Sequence, residues 1–333
     1  MARWLAVLLA WPVLRHHTFN LGALLPAAFL ANRPLESPGA ARPERRHTHP
    51  KVITKKIMAA RSASEVLRVV EKERSNPKLD FFAMAAAWAR MAKMQRSISA
   101  DVLTDVFLAD FIAMTRRFAK SAGAEPKRNV RLVANAFWAT AKLDQRMCSR
   151  LASLQSSLAQ AAKQTAKHMQ AQHVANTIYA TATLSESLDA SLLNVLPALA
   201  VQAEKVSSDM KAQEVANVIW ATAKLSEAGG DSLLSVLPTL VVRAKEVSSD
   251  MSAQAVANVI WAAAKLSEAG DNSLLTVLPT LAVQAKEVRS NMSAQDVCNV
   301  IWATAKLAEV GDDALLGFLP SLVLRANRFA GCP

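Results

Sequence analysis

From residue 126 onward, apolar and polar positions recur twice over, once with the spacing of a helix and once as whole blocks. "ANVIWATAKLSEAG" at Ala216–Gly229 returns as "ANVIWAAAKLSEAG" at Ala257–Gly270 and as "CNVIWATAKLAEVG" at Cys298–Gly311. An aromatic ring stands at Trp138, Tyr179, Trp220, Trp261 and Trp302, every gap being 41 residues. Asn135, Asn176, Asn217, Asn258 and Asn299 keep the same period, as do Pro197, Pro238, Pro279 and Pro320. A supersecondary unit repeated at one spacing predicts a solenoid, because each unit buries its apolar surface only against its neighbours.

Within a unit, the pattern predicts two helices. Val256, Ala257, Ile260, Trp261, Ala264 and Leu266 cover a broad arc, as expected for a helix packed on more than one side. Ser252 is a candidate N-cap, and Ser293 with Asp296 has the spacing of a capping box. Gly229, Gly270 and Gly311 fall where a helix would end in the left-handed region. Asp231, Asn272 and Asp313 then read as N-caps of a second helix. Pro238, Pro279 and Pro320 would lie about two turns inside it, breaking it and leaving the carbonyls of Leu234, Leu275 and Leu316 without their usual partner. The expected fold is therefore an all-α, right-handed α-solenoid of helix-pair repeats with a 41-residue period. The aromatic column is read as core, which puts the cost of Trp261→Ala at about 3–5 kcal/mol.

The chain divides into three. Residues 126–333 hold five regular units. Residues 51–125 read as divergent helical entry repeats: "FFAMAAAWARMAKM" resembles a first helix, with Trp88 in the aromatic position and Ala85 in place of Asn. The 50-residue gap from Trp88 to Trp138 implies a nine-residue insertion or an intervening divergent unit. Residues 1–50 begin with "MARWLAVLLAWPVLRHH", have no acid before Glu36, and become rich in Arg and Pro. They read as a targeting presequence. The first apolar run is too short to span a bilayer and Arg15 interrupts a longer one, so no stable membrane insertion is expected.

Composition supports helix and removes several chemistries. Ala, Leu, Lys, Glu and Gln dominate, and no long run alternates as a strand would. Cys148, Cys298 and Cys332 are too scattered for a disulfide framework. The six histidines offer no closely spaced ligand set, so neither a metal nor any other cofactor is expected. No nucleophile, phosphate-loop or zinc-protease motif occurs, which argues against an enzyme.

The net charge of +12 is unevenly placed, and its placement narrows the choice of partner. Residues 61–168 carry 19 Lys/Arg against nine acids, whereas residues 169–333 carry 11 against 16. Any attraction for a polyanion must come from the first half. Arg116, Arg117, Lys120, Lys127, Arg128 and Arg131 cluster there as candidate phosphate contacts. Gln254, Asn258 and Lys265 lie on one stripe of the first helix. The Asn column (Asn176, Asn217, Asn258 and Asn299) is either a buried ladder bonded to the next repeat's backbone or a row of amides facing a ligand. Leu132, His173, Glu214, Ala255 and Asp296 vary within an otherwise constant helix. A variable polar position is commonly just solvated, but it is also what a modular reader of bases would vary.

"MSAQDVCNVIWATAKLAEVG" resembles the octotricopeptide-type helical repeat of organellar RNA-binding proteins, with the pattern Q-x-x-x-N-x-x-W-A-x-A-K-L. It is also similar to the helical arrays of FAST-kinase-like and RAP-domain proteins and of RNA-editing substrate-binding complexes. The resemblance covers about residues 52–328. It implies binding of single-stranded RNA, alongside other subunits of an RNA-processing complex, in the processing, editing or stability of organellar transcripts. The mitochondrion is favoured, with a plastid as alternative. A HEAT- or armadillo-like scaffold that holds proteins rather than RNA remains the competing reading, since those repeats have similar periods.

Overall fold

The computed structural model describes residues 49–330 apart from 96–97, 99–101, 103–104 and 186–189. The expected presequence therefore lies almost wholly outside the described residues. Those residues form fourteen α-helices and no strand, an all-α solenoid. The helices are α1 (Pro50–Ala59), α2 (Ala63–Lys72), α3 (Phe81–Lys93), α4 (Val106–Ser121), α5 (Pro126–Met147), α6 (Ala152–Thr165), α7 (Ala171–Leu184) and α8 (Leu196–Val206). There follow α9 (Ala212–Ser226), α10 (Leu237–Glu246), α11 (Ala253–Glu268), α12 (Leu278–Val288), α13 (Ala294–Glu309) and α14 (Leu319–Ala330). Odd-numbered helices are the first of each pair and even-numbered helices the second.

Consecutive first helices pack directly on one another from α1 to α13. Their shared surfaces are built from small residues: Ala216, Ala221, Ala257 and Ala262 are fully buried, which lets the backbones approach closely. The second helices α4 and α6 also pack directly, but from α6 to α14 neighbouring second helices meet largely through short 3₁₀ segments. The buried hydroxyls of the first helices are satisfied locally. Thr181, Thr222 and Thr304 each donate to the carbonyl four residues back, at 2.7–3.0 Å.

The helix ends follow the expected chemistry in part. Ser252 and Ser293 cap α11 and α13, accepting from the N–H groups of Ala255 and Asp296. Gly229, Gly270 and Gly311 adopt φ of 78°, 88° and 88°. Beyond Gly270, the Asp271 N–H reaches back to the Leu266 carbonyl at 2.9 Å, which closes the helix end in a Schellman motif. Asn272 and Asp313 are not side-chain caps. Asp271 and Asp312 accept from the N–H groups of Ser273 and Ala314 instead, and Asn272 accepts from the Ser267 hydroxyl.

The prolines mark helix beginnings. A 3₁₀ turn precedes each, and the α-helix starts one residue before Pro238 or Pro279, so the proline occupies the first turn, where its missing N–H costs nothing. The carbonyls of Leu234, Leu275 and Leu316 keep a partner, because the tighter turn gives each the N–H of Leu237, Leu278 or Leu319. The break is as expected; the orphaned carbonyls are not.

The second helices α8, α10, α12 and α14 also tie themselves to the start of their own first helices. Gln202, Arg243, Gln284 and Arg325 donate to the carbonyls of Met169, Met210, Met251 and Met292 at 2.6–3.1 Å. The late part of the second helix thus lies beside the beginning of the first, and the pair is antiparallel.

The entry region continues the stack. The segment before residue 73 forms the pair α1 and α2, and α3 packs on α5 with no unit between them. The nine extra residues lengthen α4 to 16 residues and start α5 at Pro126, whereas α9 starts at Ala212, much nearer its own Trp220. Trp88 does not continue the aromatic column. It turns fully into the core, stacks on Phe111 at 4.5 Å and donates its indole N–H to the Thr115 hydroxyl.

Candidate functional site: a polar stripe on the first-helix layer

Spacings of four, three and four residues place side chains on one face of a helix. On α9 that face carries Gln213, Asn217, Trp220 and Lys224; on α11, Gln254, Asn258, Trp261 and Lys265; on α13, Gln295, Asn299, Trp302 and Lys306. Tyr179 and Thr183 fill the last two places on α7, after Gln172 and Asn176, and α5 presents Arg131, Asn135, Trp138 and Lys142. Most of these positions retain solvent exposure, although Tyr179, Trp220 and Asn258 are buried. Because the helices pack side by side, the stripes join into a surface of four columns.

The aromatic column is continuous from Tyr179 to Trp302. Ring centroids are 5.2 Å apart from Tyr179 to Trp220, 6.4 Å from Trp220 to Trp261 and 6.5 Å from Trp261 to Trp302, with tilts near 35°. Trp220 is buried at 3%, but Trp138, Trp261 and Trp302 are only half-buried. The column is thus the seam between units, its rings mostly buried as expected, with Trp138, Trp261 and Trp302 also reaching the surface. Burial holds the Tyr179 phenol protonated, with its pKa pushed up to about 12.

Beside the rings runs a column of lysines whose charge differs from end to end. Lys265 pairs with Glu227 of the preceding unit at 2.8 Å and with its own Glu268 at 3.5 Å. Lys306 pairs with Glu268 and Glu309, both at 3.2 Å. Burial is the largest single influence on Lys265 and works against its charge, but the hydrogen bonds and charges of Glu227 and Glu268 together outweigh it and its pKa is raised. Toward α5 the acids disappear: the positions matching Glu227 and Glu268 around Lys142 are Gln95 and Gln145. Lys142 instead lies 5.0 Å from the Trp138 centroid, and burial lowers its pKa.

The asparagines do not form a backbone ladder. Asn217 accepts from the Gln213 amide at 2.9 Å, a bond between two exposed-face side chains. Asn258 is 4% exposed and its Nδ2 has no partner. A buried amide left unbonded costs about 1–3 kcal/mol. Asn258 is thus closed off from any ligand, whereas Asn176, Asn217 and Asn299 are partly exposed and the ligand-facing alternative fits them better.

The positions expected to read bases are corrected. Ala255 is fully buried, and His173 and Asp296 are buried to within a tenth of their surface. His173, Glu214 and Asp296 turn back on the helix start and accept the backbone N–H groups of Gln170, Lys211 and Ser293 at 3.3, 2.9 and 2.8 Å. They vary because several side chains can satisfy that N–H, not because they face a ligand.

His173 carries a pH dependence. Burial first, and the Arg131 charge second, lower its pKa. The unfolded chain takes up a proton at the ordinary imidazole pKa while the folded chain resists it. This contribution to stability is therefore complete above about pH 6.5 and is lost as the pH falls through the lowered folded value. Denaturant midpoints should drop on acidification from about pH 7.5 to about pH 5. His173→Glu keeps an acceptor at this position, as Glu214 does in the next unit, and should show a smaller drop; an unchanged drop would place the effect elsewhere.

The six candidate phosphate contacts are divided between layers. Arg116, Arg117 and Lys120 stand on the second helix α4, and Lys127, Arg128 and Arg131 on the extended start of α5. Arg128 pairs with Glu125 at 3.0 Å. Arg131 alone belongs to the polar stripe, with its guanidinium 5.5 Å from the Phe82 centroid. Lys120 instead lines a groove with Ser156, Ser157, Gln160 and Gln164, where both serine hydroxyls donate to carbonyls of their own helix.

The glutamine column and Lys142 were not among the expected contacts. Helical spacing from Asn217 and from Trp138 points to both once the exposed face is known. Among the described residues no group of acids, histidines and cysteines could hold a metal, and no helix is long and apolar enough to cross a membrane. No model of a known protein family matches the chain, and no curated protein sequence matches it.

Proposed function

We propose that the chain is a non-enzymatic RNA-binding helical-repeat protein that lays single-stranded RNA along the polar stripe of its first helices. The observation that carries this reading is the column of amides with spare hydrogen-bonding capacity beside partly exposed rings. Amides and aromatic faces are the groups that take unpaired bases, which offer both an edge and a π-face. Lys142, Arg131, Lys127 and Arg128 would hold the backbone at the basic end, while Arg116, Arg117 and Lys120 lie on the other layer. The resemblance to organellar repeat proteins supports a place in mitochondrial RNA processing, editing or stability, with a plastid as the alternative, and in the company of other subunits.

One observation favours a protein-binding scaffold. Lys265 and Lys306 are already paired with acids, so the regular units offer a polyanion little net charge. A salt series separates the two readings. Full-length protein should bind a single-stranded RNA with affinity falling as salt rises, and Lys142→Ala with Arg131→Ala should reduce the logarithmic slope by roughly 0.7 for each phosphate no longer held. Absence of RNA binding at low salt would leave the scaffold reading.

A further inference from the structure

The polar stripe does not vary. Gln recurs at positions 172, 213, 254 and 295, Asn at 176, 217, 258 and 299, and a ring follows each. The positions that do vary, His173, Glu214, Ala255 and Asp296, are caps and core. An array that reads an irregular sequence must change its contacting side chains from unit to unit, since each repeat takes one base. Units with the same contacting pair read the same thing each time. The ligand that satisfies all of them is itself repetitive.

The chemistry of the pair indicates which base repeats. In α9 the Gln213 amide donates one hydrogen to Asn217 Oδ1. The Gln213 carbonyl accepts only a long bond from the Ser252 hydroxyl, at 3.5 Å, and keeps a second lone pair. The Asn217 NH₂ and the Gln213 carbonyl thus offer one donor beside one acceptor. Adenine presents the complement on one edge, the N7 acceptor beside the N6 amino donor, and Asn or Gln pairs with that edge in bidentate fashion. Resting on the RNA reading above, we propose that the stripe selects runs of adenine, with the partly exposed Gln–Asn pairs of α7, α9 and α13 each meeting the N6/N7 edge of one base.

The test uses the full chain and fluorescence anisotropy at fixed salt, with dodecamers of A, U and C and one of mixed sequence. The adenine strand should bind at least about tenfold tighter than the others. A dodecamer of 7-deazaadenosine, which stacks like adenosine but lacks the N7 acceptor, should lose most of that advantage. Equal binding of all strands, or tightest binding of U or C, would overturn the adenine assignment while leaving RNA binding intact. Undiminished binding of the deaza strand would overturn the N6/N7 edge. Failure to bind any strand at low salt would remove the RNA reading on which the proposal rests.

Discussion

Trp88→Ala should be the most damaging single substitution in the entry region, costing about 3–5 kcal/mol. Its ring is fully buried, stacks on Phe111, and lies where α3 meets α4 and α5. Removing it leaves a cavity that neighbours on three helices cannot close together. The hydrogen bond adds less, because the Thr115 hydroxyl still donates to the Phe111 carbonyl once the indole is gone. Stacked repeats can unfold unit by unit, so denaturant curves should be accompanied by amide exchange. Exchange should accelerate first in α3–α5 and least in α11–α13. Trp261→Ala should cost less than Trp88→Ala, since Trp261 is half-exposed; the 3–5 kcal/mol expected from its place in the repeat presumes full burial. A loss at Trp88 well under about 1 kcal/mol would contradict its place in the core.

Much of the architecture is legible in the repeat itself. The 41-residue period, the glycine helix ends and the serine caps each rest on local chemistry, and local chemistry survives in sequence. What escapes depends on packing between helices. The bonds from Gln202, Arg243, Gln284 and Arg325 to the Met carbonyls span 33 residues, and no spacing rule points to them. Trp88 shares its motif with the column but faces another way, because α4 brings Phe111 and Thr115 beneath it. The prolines read as helix-interior because the preceding "DSLLSV" and "DNSLLTV" segments are apolar enough to look helical, whereas they wind as 3₁₀ turns.

The misplaced reading positions have a clear physical origin. Variation suggests contact with a ligand, and constancy suggests structure. Here the two are reversed: the N3 cap tolerates His173, Glu214 or Asp296, while the constant amides have little structural work to do. The capping-box spacing at Ser293 and Asp296 is the signal that assigns the whole column.

The proposed RNA binding depends on the amide column, and replacing Asn176, Asn217, Asn258 and Asn299 together by Ala tests it most directly. Each bidentate contact is worth about 1–3 kcal/mol, so removing the three partly exposed ones should weaken single-stranded RNA binding by about a hundredfold or more. The fold should tolerate the change. None of the four bonds to another unit's backbone, and at Asn258 the substitution removes an unsatisfied buried amide. The measurement is RNA affinity and denaturant midpoint on the same full-length quadruple variant. Binding should collapse while the midpoint stays close to that of the parent. Unchanged affinity, or a midpoint lowered enough to explain the weaker binding by unfolding, would contradict a ligand-facing role for these amides.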